Sequence, residues 1–181
     1  MTFVRAREYS TEDEVHRLLA AAKKTPRHSL RNYCLILTTY RHGLRATEAA
    51  ELKWHQIDFT KAVIHVKRLK DGNNTVHPIY GDELRSLRQL ERERKSAYVF
   101  ASDRADHITG SGFRQIIAAL GRKAGIDFPV HPHMLRHSCG YYLANKGYDT
   151  RLIQDWLGHV NIACTVGYTR LSHTRFEGVF E

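Results

Sequence analysis

The sequence predicts a mainly α-helical chain carrying one small antiparallel β-sheet. Two observations lead there: apolar residues recur at helical spacing through most of the chain, and a single β-branched stretch followed by a turn cluster interrupts them. Ser10 and Thr11 precede the acidic turn Glu12–Glu14 and then Val15, Leu18 and Leu19. Ser10 with Asp13 has capping-box spacing, and carboxylates suit a helix N-terminus, so a first helix is expected to about Lys24, before Pro26. A second helix, from Leu30 to Tyr40, stops at Gly43, a C-cap residue. Thr47 to Leu52 reads as a short third helix. Ala62–Leu69 is rich in β-branched residues, Asp71–Asn74 is a turn cluster and Thr75–Ile79 is a second strand, together a β-hairpin with a polar tip. Helix resumes from Asp82 to Arg94, and Tyr98–Phe100 is a short extended piece. Further helices are expected from Ser111 to Lys123, ending near Gly125, and from His133 to Lys146, closed by Gly147. Asp149 or Thr150 caps the next, through Leu157, and Thr165 to about Ser172 is the last.

The 181 residues are expected to form one domain from end to end with a real hydrophobic core. Lys and Arg number 28 against 19 Asp and Glu, a formal net charge of +9. Such an excess points to a polyanion, foremost nucleic acid, although an anionic membrane surface or a plain scatter of basic residues also fits charge alone. No apolar run approaches the ~20 residues of a membrane span. Met1–Arg7 has no secretory h-region. Cys34, Cys139 and Cys164 form no CxxC, so neither a disulfide framework nor a zinc ribbon is suggested, and a reducing cytoplasmic setting fits.

Three clusters could carry chemistry. In Tyr40–Ala49, Arg45 follows a glycine at the mouth of a helix, and Glu48 three residues on faces the same side; the pair can fix a guanidinium or be an ordinary surface ion pair. In His131–Gly140, His133 and Arg136 share a helical face. There an arginine fork can clamp phosphate oxygens and an imidazole can donate or move a proton. A metal site from His131, His133, His137 and Cys139 matches no zinc spacing and has Arg136 in its midst; histidines that merely pack are the other reading. In Leu157–Arg170, His159 follows a glycine at a helix end and Tyr168 lies on the next helix, where half-buried core is a tyrosine's usual place. Taken together, two arginines, two histidines, a hairpin lysine and a tyrosine form a phosphoryl-transfer set. Arginines neutralise the equatorial oxygens, tyrosine attacks, and lysine or histidine protonates the leaving oxygen.

The motifs Gly43–Glu48, His133–His137 and Leu157–His159 followed by Tyr168 resemble, in order and spacing, the catalytic domain of the tyrosine recombinases (phage integrase family), from about residue 10 to 181. The stretches Arg31–Leu35, His131–Gly140 and Asp149–Asp155 resemble in particular the short fimbrial phase-variation recombinases of enterobacteria, which flip a promoter-bearing segment. The resemblance implies the DNA breaking-rejoining fold and a role for each residue. Arg45 and Arg136 would bind the scissile phosphate, with Glu48 orienting Arg45. Lys70, or Lys67 as second choice, would protonate the leaving 5′ oxygen. His133 would act in acid–base catalysis, His159 would hydrogen-bond the phosphate, and Tyr168 would attack to give a 3′-phosphotyrosine. It implies no metal, no ATP and no other cofactor. The implied partners are double-stranded DNA with inverted-repeat sites, other protomers in a synaptic tetramer and accessory DNA-bending proteins, all in the bacterial cytoplasm at the nucleoid. Most of that family carries an N-terminal core-binding domain, and its absence is expected here. Positive charge clustered around the phosphate is expected to favour the Tyr168 phenolate, and to hold Tyr168 inert until DNA completes the site. Phe176, Val179 and Phe180 are expected either to dock on a neighbouring protomer or to fold back on their own core. A type IB topoisomerase-like enzyme and a DNA-binding regulator without catalysis are the alternative functions.

Overall fold

Apolar residues of α2 (Ser29–His42) form the centre of the structure, a computed structural model that describes residues 7–69, 72–170 and 172. Cys34, Leu35, Ile36 and Leu37 are all buried, so this helix is covered on nearly every side. It packs against α1 (Glu12–Lys23), α4 (Gly81–Arg92) and α6 (Pro132–Asn145). The remaining helices are α3 (Ala46–Ala50), α5 (Gly110–Lys123), α7 (Thr150–Leu157) and α8 (Ala163–Arg170). Strands β1 (Ile57–Asp58), β2 (Val63–Val66) and β3 (Thr75–Pro78) form an antiparallel sheet in that order. The register sets Ile57 opposite Ile64 and Val66 opposite Thr75. The helices and hairpin follow the expected order. β1 was not foreseen; it pairs with β2, and two residues are too few for a periodic signal.

Two core clusters result. The larger joins α1 to α6 and the sheet. The smaller is built from α6, α7 and α8: Cys139, Leu143, Ile153, Leu157 and Tyr168, with Trp156 packed against it.

One cap differs from expectation. α1 begins at Thr11, whose hydroxyl accepts from Glu14 N–H while the Glu14 carboxylate accepts from Thr11 N–H; the box is Thr11 with Glu14, one residue later than Ser10 with Asp13. Ser10 is buried and occupied elsewhere: its backbone N–H donates to Ser138 Oγ at 2.8 Å, and its carbonyl accepts from the same hydroxyl. A hydrogen bond to α6 therefore fixes where the first helix starts. No helix of the described residues is long and apolar enough to cross a membrane.

Candidate active site

Glycine places the first motif. α2 ends on Gly43 in the left-handed region (φ 57°), where a Cβ would also run into the Leu157 side chain at 2.4 Å. The chain thus turns directly into Arg45, the N-cap of α3. Glu48, one turn on, is almost fully buried. It accepts from the Arg45 backbone N–H at 2.8 Å, from Arg45 Nη1 at 2.7 Å, from Leu69 N–H at 3.2 Å and from Arg68 Nη1 at 2.9 Å. Burial alone would raise its carboxyl; these donors and the Arg68 charge outweigh it and hold the group below the ordinary carboxylate range. The Arg45 side chain keeps 29% of its surface exposed.

Arg68 was not foreseen as a site residue. Its side chain has no accessible surface. Besides Glu48 it donates to the carbonyls of Gly43 (3.1 Å), His42 (2.9 Å) and Trp156 (2.6 Å), tying the loop end of the hairpin to the ends of α2 and α7. Gly158 ends α7 in the left-handed region (φ 65°), and a Cβ there would strike Arg68 and the Asn73 carbonyl. His159 follows at once, its Nδ1 2.8 Å from Thr165 Oγ1. Burial first, then the charges of Arg136, Arg45 and Arg68, push its pKa down to about 4, so its ring is neutral near pH 7.

α6 supplies the second motif. Arg136 is 2% exposed and donates to the carbonyls of Gly43 and, at 2.8 Å, Leu157. Gly43 O is therefore shared by Arg68 and Arg136. Burial, with Arg68 and Arg45 close by, pushes Arg136 down to about 10, still a cation at neutral pH. His133 lies exposed on the first turn, its ring edge-on to His137 with centroids 4.3 Å apart. Desolvation and then the Arg136 charge lower its pKa.

Tyr168 comes from α8 and is 5% exposed. Its hydroxyl lies 2.7 Å from His137 Nδ1. Its ring covers Gly140, where a Cβ would approach ring atoms to 2.8 Å, and stands edge-on to Tyr141. Burial pushes the phenol up to about 12, and Arg136, the one cation lowering it, does not prevail.

The structure thus gathers Arg45, Glu48, Arg136, His159 and Tyr168, with His133 on the same helix as Arg136, and adds Arg68 and His137. Lys70 lies outside the described residues, as do Phe176, Val179 and Phe180; Lys67 is exposed just past β2. His131, His133, His137 and Cys139 do not converge as ligands: Cys139 is buried against the Arg41 carbonyl, and no group of three such side chains suited to a metal occurs among the described residues.

Three arginines and a buried glutamate thus stand near a recessed tyrosine, on a fold that comparison with known proteins places in a family. Residues 8–175 match the phage integrase family, and the chain belongs to that family, the tyrosine recombinases. Type 1 fimbriae regulatory protein FimB of Escherichia coli (strain K12) is 42% identical over 181 residues, covering 97% of this chain and 90% of that protein. FimE of the same strain is 41% identical over 182 residues, covering 97% and 91%. The crystal structure of XerA recombinase superposes with a TM-score of 0.80 at 29% identity, covering 95% of this chain and 63% of that one. The catalytic domain of bacteriophage HP1 integrase shares the fold at a TM-score of 0.72 and 20% identity, covering 93% and 90%.

Proposed function

We propose that this protein is a site-specific recombinase that cuts and rejoins double-stranded DNA through a 3′-phosphotyrosine, inverting a promoter-bearing segment to switch fimbrial expression. The observation that carries the chemistry is the shared Gly43 carbonyl: Arg68 and Arg136 both donate to it, while Glu48 joins Arg68 to Arg45, so three guanidiniums from three elements belong to one hydrogen-bonded network. Such preformed positive charge suits the equatorial oxygens of a scissile phosphate. The kinship with FimB and FimE supports the inversion task.

Arg45 meets the phosphate first, being the accessible arginine, and Arg136 supplies the deeper fork. His133 acts in acid–base catalysis, and His159 hydrogen-bonds the phosphate. Tyr168 Oη attacks phosphorus as the P–O5′ bond breaks. The 5′ oxygen leaves with a proton from a hairpin lysine, Lys70 or else Lys67. The ester conserves the bond energy, so rejoining by the 5′-hydroxyl calls for neither ATP nor a metal. Inverted-repeat DNA, a synaptic tetramer of protomers and DNA-bending proteins are the partners of this reading, at work on the bacterial nucleoid. The test is incubation with DNA carrying the protein's own genomic flanking repeats, followed by sequencing of the junctions. Inverted junctions are expected; relaxed but unrearranged DNA would make the enzyme a topoisomerase, and no covalent adduct at all would leave a DNA-binding regulator.

A further inference from the structure

We propose that His137 is the catalytic base for Tyr168: its Nδ1 accepts the phenol's hydrogen bond and receives the phenol proton when the tyrosine attacks. The proposal rests on the reading of Tyr168 as nucleophile. His133, His137 and Gly140–Tyr141 fall on one stripe of α6, and α8 lays Tyr168 along it. The ring is fixed by the missing Cβ of Gly140 and by the edge-on ring of Tyr141, which is itself backed by Tyr9 from the segment before α1. The hydroxyl then ends 2.7 Å from His137 Nδ1, its hydrogen-bond partner among the described residues.

The direction of that bond follows from inventory. A phenol has one proton to place, and a neutral imidazole has one donor and one acceptor nitrogen. Tyr168 keeps its proton at neutral pH. If Nδ1 donated, the buried phenol proton would have no acceptor; with the imidazole proton on Nε2 both groups are satisfied. The surroundings keep His137 neutral. Burial, then His133, Arg136 and His131, lower its pKa to about 4, and of the charged groups facing it only Glu8 acts the other way. His137 is thus unprotonated at working pH and in contact with the atom that must lose a proton, and the negative charge of the arriving phosphate raises its pKa toward that of a working base.

In the step itself Oη–P forms as P–O5′ breaks, the phenol proton passes to Nδ1 and His137 becomes imidazolium. The hairpin lysine's proton leaves on the 5′ oxygen. Rejoining reverses both transfers: the imidazolium returns its proton to Oη as the phosphotyrosine bond breaks. His133, exposed one turn earlier, is then left to the phosphate oxygens.

The test is single-turnover adduct formation by the full chain on a nicked suicide duplex, as a function of pH. His137→Phe keeps the ring and removes the nitrogens. It is expected to slow adduct formation about 100-fold with DNA affinity unchanged, and to turn a rate that is flat above about pH 6 into one rising tenfold per pH unit toward the phenol's own titration. His137→Asn, which returns an acceptor but no base, is expected to recover part of the rate and keep the slope. A wild-type rate in His137→Phe, or a slow rate with a flat profile in both variants, overturns the proposal. Tyr168→Phe is run beside them: an adduct there would overturn the nucleophile reading itself, whereas its absence beside a wild-type His137→Phe rate condemns His137 alone.

Discussion

Glu48 and Tyr168, on facing sides of the site, are held by very different means. Both Glu48 oxygens are engaged, with two guanidiniums and two backbone N–H groups directed at them, and Arg68 reaches on to three carbonyls in two other segments, the end of α2 and α7. The Tyr168 hydroxyl has one hydrogen bond, to His137, among the described residues. The physical reason lies in what each side must do. Arg45, Arg68 and Arg136 repel one another, and Arg68 and Arg136 are stripped of water. Only a buried carboxylate and well-aimed carbonyls hold them together before phosphate arrives. A nucleophile must instead lose its proton and reach phosphorus, which a hydroxyl with a single hydrogen bond permits.

The largest effect is expected from Arg136→Ala, which removes a phosphate donor from the rigid side. Adduct formation should fall by about 10²–10³-fold in single-turnover cleavage, as loss of one preorganised donor does elsewhere. Arg68→Leu tests whether the rigid side depends on its buried knot: breaking one partner of a buried pair costs about 3–5 kcal/mol, read as a fall in Tm on thermal denaturation. An unchanged Tm would show that Glu48 and the carbonyls manage without it. On the tyrosine side, Gly140→Ala presses a methyl group into the Tyr168 ring. It should cost about 1–3 kcal/mol and slow cleavage without weakening DNA binding in a gel-shift assay. The smallest effect is on pH dependence. Because the folded Glu48 carboxyl titrates below its ordinary value of 4.5, its contribution to stability is full above that value and lost as pH falls through the depressed one. Tm should therefore fall less between about pH 5 and 3 in Glu48→Gln than in the wild type.

Much of this contrast was legible in the sequence because its parts are local. Arg45 with Glu48, His133 with Arg136, and the glycines at 43 and 158 each lie within a turn of what they serve. Arg68 was missed because its partners are 20 to 88 residues away and charge on a hairpin suggests solvent. A signal existed all the same: Ile64, Val66 and Arg68 share the buried face while His65 and Lys67 are exposed, so the alternation of the strand carries an arginine into the interior. His137 was seen only as a member of a histidine-rich run, since nothing local distinguishes the histidine that meets the tyrosine from the one that meets solvent. The protonation of Tyr168 is set by a different kind of fact: charge can be counted in the sequence, but the burial that raises the phenol cannot.

The most direct test of the account is to isolate the DNA-linked peptide after reaction with a nicked suicide duplex and map the linkage by mass spectrometry. The account predicts a single 3′-phosphate ester on Tyr168. Linkage through another tyrosine, or through a 5′-phosphate, would contradict it.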